Sequence, residues 1–112
     1  MMISEIEKKM IDQIHIEEDL EKIVSIAKAS KNPCFLQQYA SAYNWDDGFD
    51  LPNTIANNEY CDFGTALTLF WLAEGMCYFT GEVEKNEYNN DWANFCDVLI
   101  HRLTNNYYAP GP

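Results

Sequence analysis

Cys61-Asp62-Phe63-Gly64-Thr65-Ala66-Leu67-Thr68-Leu69-Phe70-Trp71-Leu72-Ala73-Glu74-Gly75 is the stretch on which the reading of the fold turns. Asp62 stands where a helix cap is needed, and its carboxylate can accept from the free N–H groups of Gly64 or Thr65. The run from Ala66 to Ala73 is interrupted only by Thr68. Leu67, Leu69, Phe70, Trp71 and Leu72 make the helix apolar nearly all round, which predicts the central, most buried element of the domain. Gly75 fits its C-terminal stop. The run is far shorter than the ~20 residues of a membrane span.

Helical periodicity continues on both sides. Upstream, Ile3, Ile6, Met10 and Ile14 recur every three or four residues, and Leu20, Ile23, Val24 and Ala27 follow the same rule behind Glu17-Glu18-Asp19. His15-Ile16 is either the joint between two helices or the middle of one long helix. Asn32-Pro33 pairs a cap with a first-turn proline, and Leu36, Tyr39, Ala40 and Tyr43 mark the next buried stripe. Asn44 to Gly48 reads as a turn, and Leu51-Pro52 starts a short helix through Ile55 to about Asn58. Downstream, Met76 to Asn90 has little periodicity. Asn90 or Asp91 then opens a final helix with Trp92, Phe95, Cys96, Leu99, Ile100 and Leu103 on one face, stopped by Asn105-Asn106. Short β-branched alternation is nearly absent. The expectation is therefore an all-α, compact single domain over residues 1–112: five or six short helices in antiparallel pairs, with a flexible tail over 105–112. A short α-solenoid-like array is the alternative.

Composition narrows the functions. The 112 residues carry 18 acids against 7 bases, a formal charge of −11. With 47% apolar and 14% aromatic residues the chain is no disordered acidic tail. The charge argues against nucleic acid or an anionic membrane as direct partner. Residues 1–31 are nearly balanced, whereas residues 32–84 hold eight acids and no base. The start, MMISEIEKKM, has no charged-then-apolar leader pattern, and Cys34, Cys61, Cys77 and Cys96 form no CxxC pair. These features read as reduced thiols and a cytoplasmic address.

No motif announces catalysis. His15 and His101 are the only histidines, and the cysteines lack a basic neighbourhood. Asp46, Asp47 and Asp50 cluster without the spacing of a calcium loop, so no metal and no cofactor is expected. The segment Tyr43-Asn44-Trp45-Asp46-Asp47-Gly48-Phe49-Asp50 places an indole beside three carboxylates. Trp45 and Phe49 either plug the gap between two helices while the aspartates cap, or form an aromatic anchor with a charged rim.

The run from Tyr43 to Gly75 resembles a small bacterial family known as domain of unknown function 4274, through Asn44-Trp45-Asp46-Asp47-Gly48-Phe49, Pro52, Ile55, Cys61-Asp62, Gly64-Thr65-Ala66-Leu67 and Phe70-Trp71-Leu72-Ala73. The family-like core extends over about 33–104. The resemblance implies a helical domain from a bacterium and an association with toxin genes, beside which small acidic proteins serve as immunity partners. It brings no catalytic residues. The expected function is a non-enzymatic immunity protein that neutralises a cognate toxin, a nuclease among the candidates. Trp45, Asp46, Asp47, Asp50, Glu59, Glu82 and Glu84 form the expected contact surface for a basic protein partner. The alternatives are a structural or adaptor domain without a toxin partner, and a small hydrolase-like enzyme using the Asp46–Asp50 cluster.

Overall fold

A computed structural model describes residues 3–110. Seven α-helices and one 3₁₀ turn follow one another among the described residues, with no strand. They are α1 (Glu5–Gln13), α2 (Leu20–Ala29), α3 (Pro33–Ala42), the 3₁₀ turn (Trp45–Asp47), α4 (Asp50–Asn57), α5 (Phe63–Leu72), α6 (Gly75–Phe79) and α7 (Asn90–Thr104). His15-Ile16 is thus part of a joint between two helices. The interval 76–90 splits into the short α6 and an irregular loop.

Four of the seven helices, α1, α2, α3 and α5, start where a side chain serves a free N–H group, whereas α4, α6 and α7 start without a side-chain cap. Ser4 and Glu7 form a reciprocal capping box on α1, and Asp19 accepts from the Glu21 N–H at the head of α2. Asn32 accepts from Cys34 with Pro33 in the first turn of α3, and Asp62 accepts from the Thr65 N–H at 2.8 Å. At the other end of α7, Asn106 takes a left-handed conformation (φ 57°), which asparagine tolerates better than most residues.

Packing arranges these helices in two layers. α3, α4, α5 and α6 each touch the next helix in the chain, and α1 packs on α3, α3 on α5 and α5 on α7 in one row. The second row pairs α2 with α4. The domain is a slab of 41 × 32 × 17 Å, about two helices thick. Pairwise packing and a short stacked array, which the sequence left as alternatives, are both present in this arrangement.

The core lies between the rows. Phe35, Leu36, Tyr39 and Ala40 of α3, Leu51 and Ile55 of α4, Ala66 and Leu69 of α5, and Phe95, Cys96 and Leu99 of α7 are all buried. Two expectations about burial need correction. α1 contributes no buried residue, and Ile6 is exposed because only one flank of this terminal helix meets α3. α5 is central in its packing but not buried all round: Phe63, Leu67, Trp71 and Leu72 face outward. Its partners α3, α4, α6 and α7 cover one half of its circumference.

Residues 105–110, the described part of the segment expected to be a flexible tail, lie against the domain. Tyr108 is buried and donates its hydroxyl to the Ala56 carbonyl at 2.9 Å, and the Phe63 N–H donates to the Ala109 carbonyl at 2.7 Å. A C-terminal carbonyl of α4 is free to accept, and tyrosine brings it a polar tip on an apolar body. Gly111 and Pro112 of that expected tail, like Met1 and Met2 of the expected domain, lie outside the described residues.

Gly75 opens α6 with its Cα against the Phe70 ring, where an added Cβ would meet ring carbons at a distance no real contact allows. Elsewhere in a helix, Gly→Ala stabilises by about 0.5–1 kcal/mol. Here Gly75→Ala is expected to destabilise by about 1–3 kcal/mol through overpacking, read as a lower urea midpoint and melting temperature. An unchanged or raised midpoint would show that Phe70 yields at no cost.

Candidate partner-binding surface

The segment Tyr43–Asp50 is built as a plug. Asn44 accepts from the Asp46 N–H, turning the chain into the 3₁₀ turn, and Gly48 leaves that turn at φ 103°, a region reserved for glycine. Trp45 donates its indole N–H to the Ala40 carbonyl at 3.0 Å. Its ring stands edge-on to Tyr43, Phe49 and Phe95 at 6.0–6.3 Å between centroids. Of the two roles open to Trp45, this geometry supplies the packing one: the ring ties the end of α3 to α7. The indole remains part-buried rather than fully enclosed.

The same turn leaves Asp46, Asp47 and Asp50 exposed. Asp47 borders a depression of about 660 Å³ with His15, Glu17, Glu18 and Leu20. Asp50 borders the open groove between α2 and α4, about 820 Å³, together with Leu20, Glu21, Lys28 and Asn53. Asp50 and Asn53 also border a smaller depression, about 290 Å³, reached by Asp91, Asn94 and Phe95 of α7. These hollows share residues, so Glu17, Glu18, Glu21, Asp47, Asp50 and Asp91 form one continuous acidic edge. Glu59, Glu82 and Glu84 stand elsewhere, exposed in the α4–α5 and α6–α7 loops.

Tertiary structure therefore regroups the expected contact residues. Asp47 and Asp50 are joined by Glu17, Glu18 and Glu21, which the sequence assigns to a balanced N-terminal stretch and a helix start. Only their shared polarity is legible in sequence; their approach to Asp47 and Asp50 follows from α2 docking on α4. The field of this edge reaches the core. Burial, then Asp47 and Asp50, pushes the Tyr43 phenol up to about 12, and burial with Glu17 does the same to Tyr39.

Two lysines stand against that field: Lys22 pairs with Glu17, and Lys28 lines the α2–α4 groove. Among the described residues the ion pairs are Lys8–Glu5 at 3.5 Å and Lys22–Glu17 at 3.3 Å, both in the N-terminal stretch. Lys85 donates to Asn94, and Arg102 donates to the Ala56 carbonyl and lies over the Tyr107 ring. No cluster of three or more His, Cys, Asp or Glu suited to a metal ion occurs among the described residues. No helix among them is long and apolar enough to cross a membrane.

A family model described as Domain of unknown function (DUF4274) matches residues 31–104, about two-thirds of the chain. The chain belongs to this family. No curated protein and no solved structure matches it. The DUF4274 span takes in α3 to α7 and all seven of the expected contact residues, while α1 and α2 precede it. The acidic edge is thus shared: Asp47, Asp50 and Asp91 come from the DUF4274 span, and Glu17, Glu18 and Glu21 come from outside it.

Buried acids of the neutral-when-protonated kind set an alkaline limit on the fold. Burial pushes the Cys61 thiol up to about 12 and Cys96 to about 11, beside the two phenols at about 12. Each keeps its proton to higher pH in the folded chain than in the unfolded one. Their contribution to stability is complete below about pH 9, the ordinary thiol range, and is lost as pH rises toward 12. Urea midpoints are expected to hold to about pH 8.5 and then fall. Tyr43→Phe should make the decline between pH 10 and 12 shallower, and an unchanged slope would remove Tyr43 from the account.

Proposed function

We propose that this DUF4274 protein is a non-enzymatic binding protein of the bacterial cytoplasm that neutralises a cognate toxin by seating its acidic edge on a basic cleft. The observation that carries the reading is the continuous edge of Glu17, Glu18, Glu21, Asp47, Asp50 and Asp91. Of these carboxylates only Glu17 has an ion-pair partner among the described residues. A nuclease is the toxin class that suits it best. Carboxylates that occupy a phosphate-binding surface mimic nucleic acid, steer encounter and close the site sterically. Four free cysteines, two of them buried, accord with a reducing compartment.

A hydrolase built on Asp46, Asp47 and Asp50 is less well supported, because all three carboxylates are exposed rather than held in a desolvated pocket. The adaptor reading draws on the array-like packing, since stacked helical arrays offer extended binding surfaces.

The test is capture of the protein encoded beside this gene, followed by growth rescue on co-expression. Association is expected to slow at least tenfold between 50 and 500 mM salt, and to weaken comparably for the triple variant D46N/D47N/D50N. Affinity and rate indifferent to both would sink the electrostatic mechanism.

A further inference from the structure

α5 presents a second surface, of different character. Thr65, Ala66, Leu69 and Phe70 fill its buried side, while Phe63, Leu67 and Trp71 recur every fourth residue on the outer side. Trp71 is 58% exposed, and in α6, which packs against α5, Phe79 is 62% exposed beside the more covered Met76. Aromatic side chains present about 150–250 Å² each. Fractions of this size over these five residues therefore leave several hundred Å² of apolar surface, as large as the biggest patch on a typical monomer, which is often functional.

The rim of this face is acidic. Glu74 joins α5 to α6 in a left-handed conformation (φ 57°), where a glycine would be unstrained and a glutamate costs about 1 kcal/mol or more. Glu74 and Glu82 are exposed at the two ends of α6, where the Val83 N–H donates to the Cys77 carbonyl at 3.1 Å and folds the Glu82 loop back on the helix; after burial, both carboxylates push the Cys77 thiol up. The two cations of the C-terminal half, Lys85 and Arg102, are engaged by Asn94 and by the Ala56–Tyr108 pair.

We propose that the outer face of α5 and α6 is a docking surface for a basic amphipathic helix of a partner protein, its apolar stripe along Phe63, Leu67 and Trp71 and its lysines or arginines on Glu74 and Glu82. Charge complementarity selects this occupant. A second copy would bring two Glu74–Glu82 rims together on molecules of charge −11, and an anionic lipid surface would be repelled likewise. A helix supplies apolar residues at three- and four-residue spacing, the same spacing as the stripe it must match. A central tryptophan is the residue type most often found to dominate such contacts. The surface is separate from the acidic edge, whose hollows are walled by α2, α4 and α7, so the inference stands whether or not the partner is a toxin.

The test titrates the full chain, at 150 mM salt, into a fluorescent 14-residue leucine/lysine amphipathic helix, with the leucine/glutamate counterpart as control. Micromolar binding of the basic peptide is expected, with at least tenfold weaker binding for Trp71→Glu and for E74Q/E82Q, and no change for E5Q/D12N on α1, outside both surfaces. Trp71→Glu adds a carboxylate, so attraction by charge alone would tighten its binding rather than weaken it. Trp71 is exposed, and the variant should melt within a few degrees of the parent; Trp71→Gln is the second variant should it not. Equal binding of the glutamate peptide would overturn the proposal. So would loss on D47N/D50N with Trp71→Glu unaffected, dimerisation through this face in sedimentation, or capture by phosphatidylserine vesicles.

Discussion

The carbonyl groups left open at the ends of short helices are the constraint on which this domain depends. Helices of five to fifteen residues are marginal alone, and each leaves its last carbonyls without an intrahelical partner. Here side chains from other elements supply the missing donors. Asn58 reaches Ala27 and Ser30 at the end of α2, both at 3.0 Å. Trp45 serves Ala40 of α3, Trp92 serves Ala73 after α5, and Tyr108 with Arg102 serves Ala56 of α4. Each bond adds only about 0.5–1.5 kcal/mol, but a buried carbonyl left unserved would cost about 1–3 kcal/mol. The donors therefore fix where each helix may end and which neighbour it must touch.

That constraint also places the surfaces. Asn58 ties α4 to the end of α2, and with α2 held there Glu17, Glu18 and Glu21 come alongside Asp47 and Asp50. Trp45, anchored on Ala40 and wedged against Phe95, carries the 3₁₀ turn whose aspartates point away from the core. Trp92, held by Ala73 and packed on Tyr78, fixes α7 against α6 and leaves α5 covered on one side only. The acidic edge and the apolar face are thus products of the same set of ties.

Legibility followed the range of the interaction. Asn32 and Asp62 were readable as caps because a cap needs only a short polar side chain two or three residues before its N–H. The stripe of α7 was readable because its spacing matches the helical repeat, and Phe95, Cys96 and Leu99 are buried as it implies. Residues 105–110 read as a tail because nothing local in Asn105-Asn106-Tyr107-Tyr108 shows that a carbonyl near Ala56 awaits a hydroxyl. The exposed half of α5 was illegible for a related reason. A helix apolar on all sides has no periodicity to say which side is covered, so Phe63 and Leu69 look equivalent in sequence and differ only in what packs on them.

By itself, then, the sequence determined the helical class, most helix boundaries, the DUF4274 signature and the excess of negative charge. All of these rest on interactions within about one helical turn or on composition. Only the tertiary structure decided which carboxylates stand together, that Trp45 is a plug, that Tyr108 docks the C-terminal segment, and that Trp71 faces outward. Apart from the local bond of Trp45 to Ala40, those outcomes depend on contacts between residues about 20 to 50 positions apart, and the donors and acceptors that make them carry no local pattern.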